Sequence, residues 1–171
     1  NYDLKRDDLN FENRSSILEI IHDFSKHSFM PLTIGGGIKT IKDVEDRLRA
    51  GADKVAINTE AYNRPEFISD CAKIFGSQCI VVSIDAKKVA LSSWEVFVDF
   101  GKKATGITPD EWAKQMEDMG AGEILINSID RDGQGSGYDL ELVSKVVQAV
   151  GLPVVAMGGA GIPEHFSEII D

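Results

Sequence analysis

A chain of 171 residues with 18 Lys and Arg against 28 Asp and Glu, a formal net charge of −10, has no cationic surface to offer the phosphates of a nucleic acid. With 43% hydrophobic and 27% charged residues and no uninterrupted apolar run of eighteen, it also lacks the pattern of a membrane span and reads as a soluble globular domain. Local donors would have to overcome the overall repulsion for an anionic small molecule to bind. Cys71 and Cys79 stand eight apart with no second pair and no histidine cluster nearby, so neither a disulfide framework nor a zinc site is expected. Both read as reduced core thiols of a cytosolic protein. No charged and then apolar leader follows Asn1, and both ends read as cut rather than processed.

In chain order, a helical pattern over Arg14 to Ser25 precedes a strand at Leu32 to Ile34, a helix at Ile41 to Ala50 and a strand at Lys54 to Asn58. A helix at Pro65 to Phe75, a strand at Cys79 to Asp85 and a helix at Pro109 to Met119 follow. The strand Glu123 to Ser128, the helix Leu140 to Val150 and the strand Val154 to Met157 complete the series. Helix starts are marked by Thr40 with Asp43, by Asn63 with Glu66, and by Thr108 before Pro109 with Glu111 in the first turn. Gly51, Gly76 and Gly120 stand where helices must stop.

Repeated βα units imply parallel strands, in a closed barrel or in a doubly wound sheet. An internal repeat decides between them: Pro31-Leu-Thr-Ile-Gly-Gly-Gly-Ile38 returns as Pro153-Val-Val-Ala-Met-Gly-Gly-Ala-Gly161, 122 residues later and with three strands between. Four βα units separate the copies, and a twofold repeat of four makes a (β/α)8 TIM barrel. Such a barrel needs about 250 residues, so the expectation is a single partial barrel over residues 1–171, lacking its first and eighth strands and about 70 to 80 residues shared between the two ends. Asn1 to Leu4 would be the tail of a sixth strand.

Chemistry in a parallel barrel sits at the carboxyl ends of the strands. The turns Gly35-Gly36-Gly37 and Gly158-Gly159 feed helix N-termini and, with Asn58 and Thr59 as donors, suit two phosphates at opposite rims of one mouth. Asp85 closes the run Ile80-Val-Val-Ser-Ile-Asp85 over an apolar wall, which suits proton transfer; a helix cap or a salt bridge to Lys87 are the structural alternatives. Asp130 and Asp132, in the loop with Gly133, could bind hydroxyls or water, or simply shape a turn.

The runs PLTIGGGIKT, RAGADKVAINTEA, FGSQCIVVSIDAKK, GKKATGITPDEWAKQMEDMGAGEILINSIDRDGQGSGYDLELV and PVVAMGGAG, over about Pro31 to Gly161, closely resemble the cyclase subunit of imidazole glycerol phosphate synthase. That resemblance implies a barrel lyase of histidine biosynthesis. It would join ammonia from a glutamine amidotransferase partner to a bis-phosphorylated formimino ribotide, giving imidazole glycerol phosphate and a carboxamide ribotide, without a cofactor. It further implies that Asp85 is a general acid/base and that Gly37, Asn58 and Thr59 form one phosphate site. Asp132, Gly133 and Gly159 would belong to the other. Lys54 and Glu123, at the start of their strands, would be members of a charged gate for ammonia; a salt bridge without further role is the alternative.

Met157 stands where the family usually has a serine, and the segment Asp3 to Asn13 departs from the usual loop. With Phe29-Met30-Pro31, these departures resemble paralogous cyclase-like proteins of surface-polysaccharide (amidino-sugar) biosynthesis. A barrel that only partners an amidotransferase, without chemistry of its own, is the third alternative. The chain by itself is expected to be inactive, for want of a first-strand acid/base partner.

Overall fold

The computed structural model describes residues 14–170. The expected strand tail at Asn1 to Leu4 and the departing segment Asp3 to Asn13 lie outside the described residues. In chain order the elements are α1 (Arg14–Ser25), β1 (Thr33–Gly35), α2 (Ile41–Arg49), β2 (Lys54–Ile57), α3 (Thr59–Asn63), α4 (Glu66–Phe75) and β3 (Ile80–Ala90). There follow β4 (Ser93–Val98), β5 (Lys103–Ala104), α5 (Pro109–Asp118), β6 (Glu123–Ser128), α6 (Leu140–Ala149), β7 (Val154–Met157) and α7 (Glu164–Ile170).

Strands β1, β2, β3, β6 and β7 pair in parallel in that spatial order, a curled α/β sheet of the kind that makes part of a TIM barrel. One arrangement departs from the βα repeat. The third strand does not stop at Asp85 but runs on to Ala90, turns at Ser92 with φ of 55°, and returns antiparallel as β4 and then β5. The cause is legible afterwards in Trp94-Glu-Val-Phe-Val98, a two-residue alternation whose Trp94, Val96 and Val98 are buried. Beside Asp85, β4 therefore occupies one edge of β3 through Phe97, and β6 occupies the other through Asn127.

Alternation also divides the faces of the parallel strands. Val55, Ile57, Ile80, Val82, Ile84, Ile124 and Ile126 point toward the helices and are almost fully buried against Val44, Phe67, Ile68, Trp112, Met116, Leu142 and Val146. Their neighbours on the other face, Thr33, Gly35, Ala56, Ser83 and Leu125, line a cleft. Burying a side chain of the first set contributes about 1.5–3 kcal/mol, so the stabilising core lies on the helix side of the sheet. Cys71 is fully buried there, and burial pushes its thiol up to about 12, whereas Cys79 is half-buried.

The expected Thr40–Asp43 cap is present as a reciprocal capping box at the start of α2. Asn63 is not the cap of α4; it ends the short α3, and Pro65 precedes α4 without a side-chain cap bond. Its fixed φ, here −55°, suits the entry to a helix. Gly51, Gly76 and Gly120 take φ of 116°, 90° and 96°, the helix stops expected of them. Among the described residues no helix is long and apolar enough to cross a membrane.

Candidate active site

The cleft on the inner face encloses about 890 Å³ and is walled at its upper end by Gly35, Gly36, Gly37, Asn58, Thr59 and Asp85. Asp85 is half-buried, and both of its carboxylate oxygens accept amide hydrogen bonds. Asn58 Nδ2 donates to Oδ2 at 3.0 Å, and Asn127 Nδ2 donates to Oδ1 at 2.9 Å. The two amides come from β2's end and from β6, the parallel partners of β3, so the carboxylate plane is fixed from both sides. Neither structural alternative for Asp85 is realised: it caps no helix, and the Lys87 ammonium instead lies 5.8 Å from the centre of the Phe97 ring.

Around the first glycine turn, Gly36 and Gly37 take φ of 98° and 65°, and nothing lies within 4 Å of where a Cβ would stand on either. A ligand can thus approach this backbone closely. Arg47, buried on α2, holds the turn by donating from Nη2 to the Gly36 carbonyl and from Nη1 to the Asp43 carbonyl, each at 2.9 Å. The expected capping box leaves little of the helix start that follows for an anion. The Asp43 carboxylate accepts from the Lys39 amide at 3.1 Å, the Thr40 amide at 2.9 Å and the Thr40 hydroxyl at 2.8 Å. Its negative charge already answers the α2 dipole. What this corner offers an anion is therefore the glycine turn with Asn58 and Thr59. The Thr59 hydroxyl oxygen also accepts from the Asp99 amide at 3.1 Å, which ties the tip of the β4–β5 hairpin to the rim.

The second glycine turn lies at the neighbouring ends of β6 and β7, outside the cleft wall. A Cβ on Gly158 would stand 2.8 Å from the Ser128 carbonyl oxygen, 3.0 Å from Asn127 Oδ1 and 3.4 Å from the Asp132 amide nitrogen. On Gly159 it would meet the Gly137 carbonyl oxygen at 2.1 Å, while the Gly137 amide donates to the Gly159 carbonyl at 2.8 Å. These two glycines let two loops touch. Gly133, with φ of 72°, has open space around it and sits beside Asp132, whose amide donates to the Ser128 carbonyl at 3.0 Å. Asp130 has a chain-shaping task, since its carboxylate accepts from the Lys88 amide at 2.7 Å.

Lys54 and Glu123 meet in an ion pair across β3, at the opposite ends of their strands from Asp85. Glu123 is in register with Val81, four residues before Asp85, which at the usual strand rise puts the pair about 13 Å below the carboxylate. Their side chains are 31% and 15% exposed, too enclosed for a freely solvated surface pair. Among the described residues no group of three or more His, Cys, Asp or Glu gathers as a metal site would require.

Sequence reasoning missed Asn127, Arg47 and the hairpin tip at Asp99 and Phe100, which lines the cleft. The one available signal for Asn127 was a polar residue breaking Ile124-Leu-Ile, two places after the inward-facing Leu125.

Residues 7–171 match the family described as histidine biosynthesis protein. The chain is 48% identical, over 93% of its length, to the imidazole glycerol phosphate synthase subunit HisF of Oceanobacillus iheyensis. It is 49% identical, over 92% of its length, to the protein of the same name from Hydrogenobaculum sp. (strain Y04AAS1). These matches cover 63% of each relative, so the chain spans about 63% of the length of the curated relatives it matches. A family match that runs through every strand of the described residues and the turns that follow them makes this chain a member of the histidine biosynthesis protein family.

Proposed function

We propose that the chain belongs to a cyclase subunit of imidazole glycerol phosphate synthase, a lyase that takes ammonia from a glutamine amidotransferase partner. The observation that carries this reading is Asp85, held over the cleft by Asn58 and Asn127 at 3.0 and 2.9 Å, in a chain 48% identical to a protein of that name. Addition of ammonia to the ribotide's carbonyl with loss of that oxygen as water, closure of the ring onto the formimino carbon and departure of the carboxamide ribotide's amine each require a proton to move, and a carboxylate at a fixed place facing substrate can accept and return it. Gly37, Asn58 and Thr59 hold one phosphate of a bis-phosphorylated ribotide, and Asp132, Gly133, Gly158 and Gly159 take the other. In a chain of net charge −10, the backbone amides of the glycine turn with Asn58 and Thr59 supply the local attraction.

The pair Lys54–Glu123 lies at the far end of the strands, where ammonia made by a partner would enter, and the word subunit in the relatives' names supports such a partner. Met157 favours a second reading, a cyclase-like protein of amidino-sugar biosynthesis. Its side chain is 42% exposed beside Asn127, where a hydroxyl would serve a phosphate better.

The test is growth without histidine of an auxotroph lacking the cyclase, complemented by the full-length gene. The purified protein is assayed in parallel with substrate and an ammonium salt. Growth and ammonia-driven turnover are expected. A soluble protein that binds its amidotransferase yet gives neither would refute the histidine reading and favour the amidino-sugar one.

A further inference from the structure

Asn127 is the least expected polar residue on the inner face. It is 7% exposed, yet Oδ1 of its side chain has no hydrogen-bond partner, although buried acceptors are almost always satisfied. Its orientation is forced. The opposite placement of the amide would set Oδ1 against Asp85 Oδ1, oxygen against oxygen, whereas the observed one donates Nδ2 to Asp85 at 2.9 Å. Oδ1 is thereby turned toward the second glycine turn, 3.0 Å from where a Cβ on Gly158 would stand. An asparagine chosen for stability would satisfy both ends of its amide; this one satisfies the end that faces the carboxylate.

We propose that Asn127 is the positioning residue of Asp85: its amide fixes the rotation of the carboxylate, and its place between β3 and the Gly158 turn sets that carboxylate relative to whatever the turn holds. This rests on the reading of Asp85 as the proton-transfer group. Three features support it independently of one another. Asn127 is paired in register with Asp85 on one side and Met157 on the other, so its Cα is held from both edges. Asn58 donates to the other carboxylate oxygen, so removal of Asn127 leaves Asp85 held at one oxygen and free to rotate. Finally, a Cβ on Gly158 would stand 2.8 Å from the Ser128 carbonyl oxygen and 3.0 Å from Asn127 Oδ1, so the turn approaches Asn127 as closely as only a glycine allows.

The experiment uses the full-length protein with substrate and an ammonium salt, and the variants Asp85→Asn, Asn127→Ala, Asn127→Asp and the exchange Asp85→Asn with Asn127→Asp. Turnover is expressed per folded molecule, and thermal midpoints are measured for each. Asn127→Ala and Asn127→Asp are expected to lower kcat by about 10- to 100-fold with KM within about threefold, the signature of a misplaced reacting group. Asn127→Asp should also lower the midpoint, because two carboxylates then face each other. The exchange restores an amide facing a carboxylate and should recover the midpoint, while remaining inactive because the carboxylate now stands on β6. Asn127→Ala introduces no charge and carries the test if Asn127→Asp does not fold. Wild-type kcat in the Asn127 variants with a lowered midpoint would overturn the proposal and make Asn127 structural; failure of the exchange to recover the midpoint would overturn it as well. Wild-type kcat in Asp85→Asn would instead bring down the underlying reading of Asp85.

Discussion

Two glycines at equivalent strand ends should fail in opposite ways when a methyl group is added. Gly159→Ala places a Cβ 2.1 Å from the Gly137 carbonyl oxygen, at a φ of 103° that side-chain-bearing residues avoid. The backbone conformation costs about 1–3 kcal/mol. Displacing Gly137 also breaks its 2.8 Å amide bond to the Gly159 carbonyl, about 1 kcal/mol more. The sum is about 2–4 kcal/mol. In a domain of this size that lowers the thermal midpoint by roughly 5–15 °C. Gly37→Ala has open space within 4 Å and a φ of 65°, so only the left-handed conformation is penalised, by about 1–2 kcal/mol. Its damage should fall on ligand binding, with substrate affinity reduced about tenfold or more where the methyl group stands in the path of a phosphate. Urea unfolding at fixed m, beside calorimetric titration with substrate, separates the two. A Gly37→Ala protein as unstable as Gly159→Ala, or a Gly159→Ala protein within about 0.5 kcal/mol of wild type, would refute the reading that Gly159 holds two loops together besides facing a ligand whereas Gly37 answers to the ligand alone.

Replacement of Asp85 by Asn should lower kcat by about 10² to 10⁴ with KM nearly unchanged; a loss confined to KM would make Asp85 a binding group. Lys54→Met should leave ammonium-driven turnover close to wild type and impair glutamine-driven turnover of the complex, and equal loss in both assays would remove the pair from the path of ammonia. Cys71 should resist alkylation in the native protein and react once it is unfolded, because its thiol is buried. With its folded value raised from 9.0 to about 12, first by burial and then by the Asp70 charge, the thiol ionises earlier in the unfolded chain. Its contribution to stability is therefore complete below pH 9 and declines between pH 9 and 12, which urea midpoints across that range would register.

Much of the frame was readable from local pattern. Glu123–Ser128 and Val154–Met157 were delimited by their apolar runs alone, and the Thr40–Asp43 box follows from two residues three apart. Contacts between distant segments were not readable. Asn127 acquires its meaning from Asp85, 42 positions earlier, and the hairpin tip from Thr59, 40 positions before Asp99. Trp94-Glu-Val-Phe-Val98 has a strand's alternation, but an antiparallel return is foreign to a βα repeat. Glycine's freedom of approach makes Gly158 and Gly159 suit an anion; that they also let two loops touch depends on Ser128 and Gly137, which no local rule brings near.

The hairpin has a further effect on where freedom of movement resides. Without β4, Asp85 would stand at the tip of a strand, where backbone frays; with it, Asp85 is an interior residue of β3, laced to Phe97 on one side and Asn127 on the other. The carboxylate is thereby anchored within the sheet, and its backbone opens only when strands on both sides part. Adjustment to a substrate then falls to the surrounding turns, those of Gly36, Gly133 and Asp99. Such a division would let the turns change to admit a different molecule while Asp85 keeps its address.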